Sequence, residues 1–355
     1  MVQIKLETSW QLGASKAEAV EAALFPLLHA IHESGSLAQA ARALGLSYRH
    51  TWGLLGKWER QIGQPLAHLQ QGRGASLSPF AQKLLWAEQR ARERLAPAME
   101  RVAAELQQEL GRVETARPDQ LLIHASHDMA LARLRDTLAR RGRLHLELQF
   151  HGSLESLQSL SRGRCDLAGF HVPAPGPGVQ LEPAFARLLK PRTHSLIGFA
   201  VREQGLMLAR GNPKRIRKFD DLTRGGVRFI NRQPGSGTRI AFDRLLEREH
   251  IERKRIRGYQ QEEFTHLAVA ATIAGGMADA GFGIRAAAVQ YGLDFVLIER
   301  ERYLLACHSD RLHDPLLQEL LAVLRGRAFH SLLAALPGYE PAIAGKILGT
   351  ALASG

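Results

Sequence analysis

Cysteine is nearly absent from this 355-residue sequence. Only Cys165 and Cys307 occur, far apart and in neither a CxxC pair nor a Cys/His zinc spacing. A disulfide framework, a dithiol redox motif and a zinc knuckle are therefore excluded, and both thiols read as reduced and structural. Long apolar runs are also missing. The longest candidate, Leu267–Ala278, is short, holds two glycines and leads into Asp279, whereas a membrane helix needs ~18 or more uncharged apolar residues. The start, MVQIKLETSW, lacks the basic head and apolar stretch of a secretory signal, so a cytoplasmic location is expected. No GxxxxGK[ST], GxSxG or HExxH motif is present, which removes the common nucleoside-triphosphate, hydrolase and zincin signatures.

What is present is an ordinary globular composition, 45% hydrophobic and 23% charged, with enough apolar residues to exclude a disordered chain. The length predicts two or three domains. Lys and Arg number 47 against 35 acids, a net charge of +12, which favours a polyanionic partner. The excess is local. Residues 42–83 hold six basic residues (Arg42, Arg49, Lys57, Arg60, Arg73, Lys83) against the single acid Glu59, and residues 210–257 hold fifteen against six.

The first basic window coincides with a compact run of short helices. Val20, Leu24, Leu27, Leu28 and Ile31 recur at helical spacing, and Gly35 ends that helix. Ser36, with Gln39 three residues on, opens a second helix, Gly45 makes a turn, and Ser47 caps a third that Gly63 stops. His68–Leu77 reads as two strands around Gly72-Arg73-Gly74, and Ser78-Pro79 opens a long helix. This order is a winged helix-turn-helix, a double-stranded-DNA reader. The third helix is expected to expose Ser47, Tyr48, Arg49, His50, Thr51 and Lys57 to DNA, with Arg73 at the wing tip; Leu46, Trp52, Leu55 and Trp58 are expected in the core. Beyond Pro79, the apolar positions Leu84, Ala91, Leu95, Met99, Val102, Leu106 and Leu110 suit a two-helix seam, hence a homodimer or homotetramer, with Pro97 kinking or breaking the helix.

The stretch SGSLAQAARALGLSYRHTW and the Gly-rich wing before a leucine-rich helix resemble the DNA-binding domain of molybdate-responsive, ModE-type regulators, and more distantly that of LysR-type regulators. The resemblance covers about residues 20–90.

From Leu121 the pattern changes to alternating strands and helices, the grammar of an α/β fold with largely parallel strands. The expected organisation is a DNA-binding domain over 1–88, a linker and dimerisation helix over 89–117, and a two-lobed domain over 118–355. Lobe I takes about 118–200 and 303–350 and lobe II about 201–302, the chain crossing near Ser195–Arg210 and returning near Ile298–Tyr303. Four strand-to-helix junctions stand out: Ala125–Asp128, His151–Ser153, Asn231–Arg239 (NRQPGSGTR) and Gly281–Arg285. Glycines admit close approach of backbone N–H groups, Ser and Thr add hydroxyls, and helix starts add positive dipole ends. Together they make an anion cradle in which Arg232 or Arg239 supplies a bidentate guanidinium. Ser126 and Ser153 also fit plain N-caps, and Asp128 fits a first-turn helix residue better than an anion contact.

INRQPGSGTRIAFDRLL with ADAGFGIRAAA resembles the molybdate-binding-like domains, of type II periplasmic-binding-protein fold, that are fused to helix-turn-helix regulators. The Arg-x-x-x-Ser-Gly-Thr spacing is also similar to that of tungstate-binding transport proteins. This resemblance covers about residues 118–345. It implies ligand contacts from Ser126, Ser153, Arg232, Ser236, Gly237, Thr238, the Gly283-Ile284-Arg285 turn and Tyr303, no cofactor, and molybdate or tungstate as effector. A carboxylate, sulfate or phosphate suits the same cradle on residue chemistry alone. An enzyme is not expected, because the adjacent Ser126, His127 and Asp128 cannot align as nucleophile, base and orienter.

Overall fold

The computed structural model describes residues 4, 6–14, 16–70, 74–111, 120–141, 144–174 and 183–348. They divide into two compact units, Leu6–Leu95 and the chain from Ala96 onward.

The first unit opens with a small pair, β1 (Gln11–Leu12) and β2 (Glu18–Ala19), then runs α1 (Leu24–Ser34), α2 (Leu37–Ala43), α3 (Tyr48–Ile62), β3 (Ala67–Gln70), β4 (Gly74–Leu77) and the start of α4 (Pro79–Gly111). The caps are those the sequence predicts. Gly35 is left-handed at φ 63°, Ser36 Oγ accepts from Gln39 N, Ser47 Oγ accepts from His50 N, and Gly63 closes α3 at φ 76°. Gly74 is obligatory in the wing, since a Cβ there would lie 2.3 Å from Gly35 O. Leu24, Leu27, Leu28, Ile31, Leu54, Leu55 and Trp58 are buried together. The wing tip with Arg73 lies outside the described residues. Helix α4 runs on through Pro97 without a break, so of the two expected outcomes, a kink or a break, the break does not occur. Leu95, Val102 and Leu106 are exposed on it.

The second unit begins with β5 (Gln120–Ala125), α5 (Met129–Arg141), β6 (His145–Phe150), α6 (Ser153–Ser161), β7 (Leu167–Pro173), α7 (Pro183–Leu188) and β8 (His194–Leu208). It continues with β9 (Phe229–Arg232), α8 (Gly237–Arg248), β10 (Glu262–Glu263), α9 (His266–Ala274), β11 (Ala280–Ile284), α10 (Arg285–Gln290) and β12 (Asp294–His308). It closes with α11 (Pro315–Arg325), α12 (Arg327–Ala334), β13 (Tyr339–Glu340) and β14 (Ile347–Leu348).

The sheet order is β10-β9-β11-β8-β12-β7-β5-β6, with β13 and β14 joined to β8. Each end is parallel: β5 pairs β6 and β7, and β9 pairs β10 and β11. Between them β8 and β12 run antiparallel to each other and to their outer neighbours. The expected crossings near Ser195–Arg210 and Ile298–Tyr303 fall on these two strands, each 15 residues long. Both are continuous through the crossings, and the register shifts twice, with Ile298 the extra residue on β12 and Phe199 the extra residue on β8. Strand ends, and so helix starts, from both lobes meet at this central pair, where ligands of open α/β sheets sit.

Candidate effector and DNA-binding sites

Helix α3 buries Thr51, Leu54, Leu55 and Trp58, the i, i+3, i+4, i+7 stripe of an amphipathic helix. Two expectations are thereby corrected. Thr51 is inside, its hydroxyl donating to Tyr48 O at 2.8 Å, because it leads that stripe. Trp52, one residue on and out of phase, is 53% exposed. Leu46 is half-buried. Tyr48, Arg49 and His50 are exposed as expected, and Ser47 spends its hydroxyl as the cap. Lys57 is half-buried and pairs with Glu21, which also accepts from Trp58 Nε1. Glu59 accepts the Leu66 amide at 2.8 Å. Gly53 and Gly56 share the exposed face with Arg49, Trp52 and Arg60: nothing lies within 4 Å of a Cβ built at Gly53, and only Arg60 Nη1, at 3.4 Å, near one at Gly56. Each glycine inside a helix costs up to about 1 kcal/mol relative to alanine.

In the second unit the four junctions do come together. A Cβ at Gly152 would lie 3.2 Å from Gly235 O, and one at Gly237 would lie 3.2 Å from Ser153 Oγ and 3.3 Å from His171 Nδ1. Ser126 Oγ lies 3.0 Å from the same His171 nitrogen. Thr238 Oγ1 lies 3.5 Å from His266 Nε2 and 3.4 Å from Gln204 Nε2, and Gly283 abuts His266. Thus the starts of α6, α8 and α9 face the ends of β5, β7 and β11 across the central strands. Ser236 caps α8 through Arg239 N.

Arg232, at the end of β9, is 5% exposed. Its guanidinium donates to Gln233 Oε1 at 3.2 Å and Phe264 O at 2.9 Å, both neutral. No carboxylate lies in ion-pair range of it among the described residues. Burial, and then Arg202, pull it down to about 9. Several buried polar atoms in the same cluster lack a hydrogen-bond partner: Ser153 Oγ, His171 Nε2, Gln204 Oε1, His266 Nδ1, His127 Nδ1 and Arg202 Nη2. Burial first, then nearby guanidinium groups, hold His171 and His266 well below the usual imidazole range, and His127 falls to about 4. The histidines are therefore neutral N–H donors at pH 7.

Behind the cluster is a buried ion network. Arg202, fully buried on β8, donates to Asp128 Oδ2 at 2.7 Å and to Glu301. Tyr339 donates to the same Asp128 oxygen at 2.8 Å, while Asp128 Oδ1 caps α5 through Ala130 N and Leu131 N. Burial pushes the Glu301 carboxyl up to about 7 against the pull of Arg202. Asp128 is thus a cap and ion partner.

Three residues expected at the ligand are engaged elsewhere. Arg239 donates to Arg232 O at 3.0 Å, pairs with Asp243 and stacks on Tyr259, so it braces β9 from α8. Arg285 pairs with Glu203 and lies over Phe295. Tyr303 is fully buried and donates to Ser126 O at 2.9 Å, which positions Ser126. Ile284 is buried at the start of α10. The sequence reading missed Arg202, Gln204, His171 and His266. A signal for the first two existed: Arg202-Glu203-Gln204 is a polar run between two apolar stretches of one strand, and such a run has no place there unless one face meets something polar.

No group of three or more metal-ligating side chains is present among the described residues, and no helix there is long and apolar enough to cross a membrane.

Comparison with known proteins agrees with this division. A family model for the PBP superfamily domain matches residues 135–325, and one for the bacterial regulatory helix-turn-helix protein, lysR family, matches residues 24–82. The uncharacterized protein YvgK of Bacillus subtilis (strain 168) is 32% identical over 200 residues, which are 56% of this chain and 64% of that protein. An uncharacterized protein from the 5′ region of a ferredoxin 2Fe-2S gene of Clostridium pasteurianum is 33% identical over 110 residues, 31% of this chain and 97% of that one. Among solved structures, a mutant of Corynebacterium glutamicum OxyR matches with a TM-score of 0.44 and 16% identity over 89% of this chain and 94% of its own. An ABC-type phosphate transport receptor from Vibrio cholerae matches at 0.45 and 14% identity over 61% and 98%. Residues 24–82 match the helix-turn-helix of lysR-family regulatory proteins, and with a PBP domain spanning more than half its length the chain belongs to the PBP superfamily.

Proposed function

We propose that this chain is a DNA-binding transcription regulator, that its second unit is the sensor, that its effector is a small oxyanion held where the two lobes meet, and that molybdate or tungstate is that oxyanion. The observation that carries the reading is Arg232: a buried guanidinium with no carboxylate partner, set in a cluster whose Ser153 hydroxyl and His171 ring nitrogen have no hydrogen-bond partner. A buried cation without a counterion is costly, and a bound anion removes that cost. Neutral imidazole N–H, hydroxyl and backbone N–H donors bind an oxyanion without needing a proton from solvent. The choice of molybdate or tungstate rests on the likeness of NRQPGSGTR to tungstate- and molybdate-binding sequences.

Such a ligand binds residues of both lobes, Ser126 and Ser153 from one and Arg232, Gly237 and Thr238 from the other, and so favours the closed arrangement about β8 and β12. A ligand shifts a conformational equilibrium only by its differential affinity for the two states, and an anion that bridges the lobes has that property. The exposed stripe Leu95, Val102 and Leu106 on α4 is the surface through which two copies join, so that paired DNA-binding units read paired half-sites.

The test is a thermal-shift panel on phosphate-free protein with molybdate, tungstate, sulfate, phosphate and small carboxylates. A ligand at a hundred times its Kd stabilises by about 2.7 kcal/mol, several degrees for a domain of this size. The expected result is a shift with molybdate and tungstate and none with the carboxylates. A shift with a carboxylate alone overturns the oxyanion assignment and leaves the regulator.

A further inference from the structure

The exposed face of α3 carries a feature that phosphate contacts do not explain. Arg49, Trp52, Gly53, Gly56 and Arg60 follow one another at spacings of one to four residues along the solvent side of the helix. Trp52 is 53% exposed, Gly53 has open space where a Cβ would stand, and Gly56 has only the tip of Arg60 nearby. Neither glycine has a positive φ, so backbone conformation does not demand them. Nothing in the first unit packs closely enough to demand them either. The helix thus gives up stability at two positions beside a large apolar side chain left in water, which is explained if something approaches the bare backbone closely. The result is a notch with an indole wall and a glycine floor, flanked by two guanidinium groups. Of the nearby carboxylates, Glu21 is paired with Lys57 and accepts from Trp58, and Glu59, which accepts the Leu66 amide, is one negative charge against the two guanidinium groups, so the rim is net positive.

We infer that this notch reads DNA sequence by seating the C5-methyl group of a thymine in the major groove, with Trp52 as the contacting wall, Gly53 and Gly56 allowing the approach, and Arg49 and Arg60 on flanking phosphates or guanine edges. The major groove is wide enough for a helix, and the thymine methyl is the one apolar group that distinguishes base pairs there. The inference rests on DNA binding by the first unit and names the base that Trp52 selects.

The experiment starts from binding-site selection with the full-length chain on a random duplex library, followed by affinity measurements at fixed salt on the selected duplex. Each thymine in turn is replaced by deoxyuridine, which removes only the methyl group. The wild-type chain is expected to lose about fourfold in affinity at one thymine of each half-site, the equivalent of one buried methyl, while W52A binds the thymine and deoxyuridine duplexes equally. G53A and G56A are expected to melt at an equal or higher temperature and yet to bind the duplex more weakly, because a methyl group then fills the floor. No sensitivity to deoxyuridine at any position overturns the inference, as does sensitivity that W52A retains in full, or unchanged affinity in both glycine variants. A wild-type chain that enriches no duplex at all overturns DNA binding itself, an outcome distinct from a duplex that binds without methyl dependence.

Discussion

Replacing Arg232 with methionine should make the unliganded protein more stable and the sensor blind. The guanidinium is held at about 9 against an ordinary value of 12.5. At 1.36 kcal/mol for each pKa unit, its charge costs about 5 kcal/mol in the folded state. Methionine removes that cost and keeps much of the packing volume. It also loses two hydrogen bonds, to Gln233 Oε1 and Phe264 O. Gln233 is half-buried and Phe264 exposed, so water can replace the lost donors at about 1 kcal/mol each. The balance is about 3 kcal/mol in favour of the variant, a rise in Tm of several degrees for a domain of this length. Differential scanning calorimetry in anion-free buffer measures it. The same sample titrated with molybdate should show no further rise. A variant that melts below wild type in anion-free buffer would refute the reasoning, since it would mean that the folded chain already supplies Arg232 with a counter-charge.

Other expectations follow from the same geometry. Ser153→Ala removes a buried hydroxyl with no hydrogen-bond partner; the unliganded Tm should hold or rise slightly while the oxyanion-induced shift shrinks, and an unchanged shift would remove Ser153 from the site. His127 sits at about 4 in the folded chain and near 6.5 when unfolded, so the unfolded chain binds the extra proton and about 3 kcal/mol of stability is lost as pH falls from 6.5 to about 4. Glu301, raised to about 7, acts in the opposite sense, so the readout is the difference between wild type and His127→Phe: the variant's Tm should fall less on acidification, and parallel curves would contradict the assignment. Val102→Asp puts a charge on the exposed α4 stripe and should convert the oligomer to monomer by light scattering; an unchanged mass places the interface elsewhere.

Four helix ends of the first unit were legible because they are written in caps: Gly35, Ser36, Ser47 and Gly63 each do locally what their chemistry requires; the start of α1 was not, since Val20 fits the apolar spacing yet the helix begins at Leu24. The misreading of Thr51 and Trp52 came from weighing hydrophobicity over phase. Trp52 is apolar and Thr51 is not, yet Thr51 shares the stripe of Leu54, Leu55 and Trp58, and phase decided. In the second unit the four strand-to-helix junctions were visible, three of them by their glycines and Ala125–Asp128 by its Ser126 and Asp128. The two long strands were not visible as continuous, because Arg202 and Gln204 interrupt the apolar pattern of β8 and Glu299, Glu301 and Arg302 that of β12. Their hydrogen-bond partners come from strands distant in sequence, so pattern alone could not join them. Arg239 and Arg285 looked equivalent to Arg232 from spacing; only the placement of Asp243 and Glu203 shows that both are already matched.

The register of the central pair has a modular consequence. Leu208 and Asp294 are directly opposite one another on β8 and β12, so the 85 residues between them, 209–293, leave and re-enter the fold through a single rung, where facing Cα atoms are about 5 Å apart. A short hairpin turn could bridge that gap. That segment, which brings Arg232 and the GSGT turn, is in effect a cassette plugged into a hairpin. Exchange of this cassette alone would re-specify what the regulator senses while leaving the segments outside it unchanged in sequence.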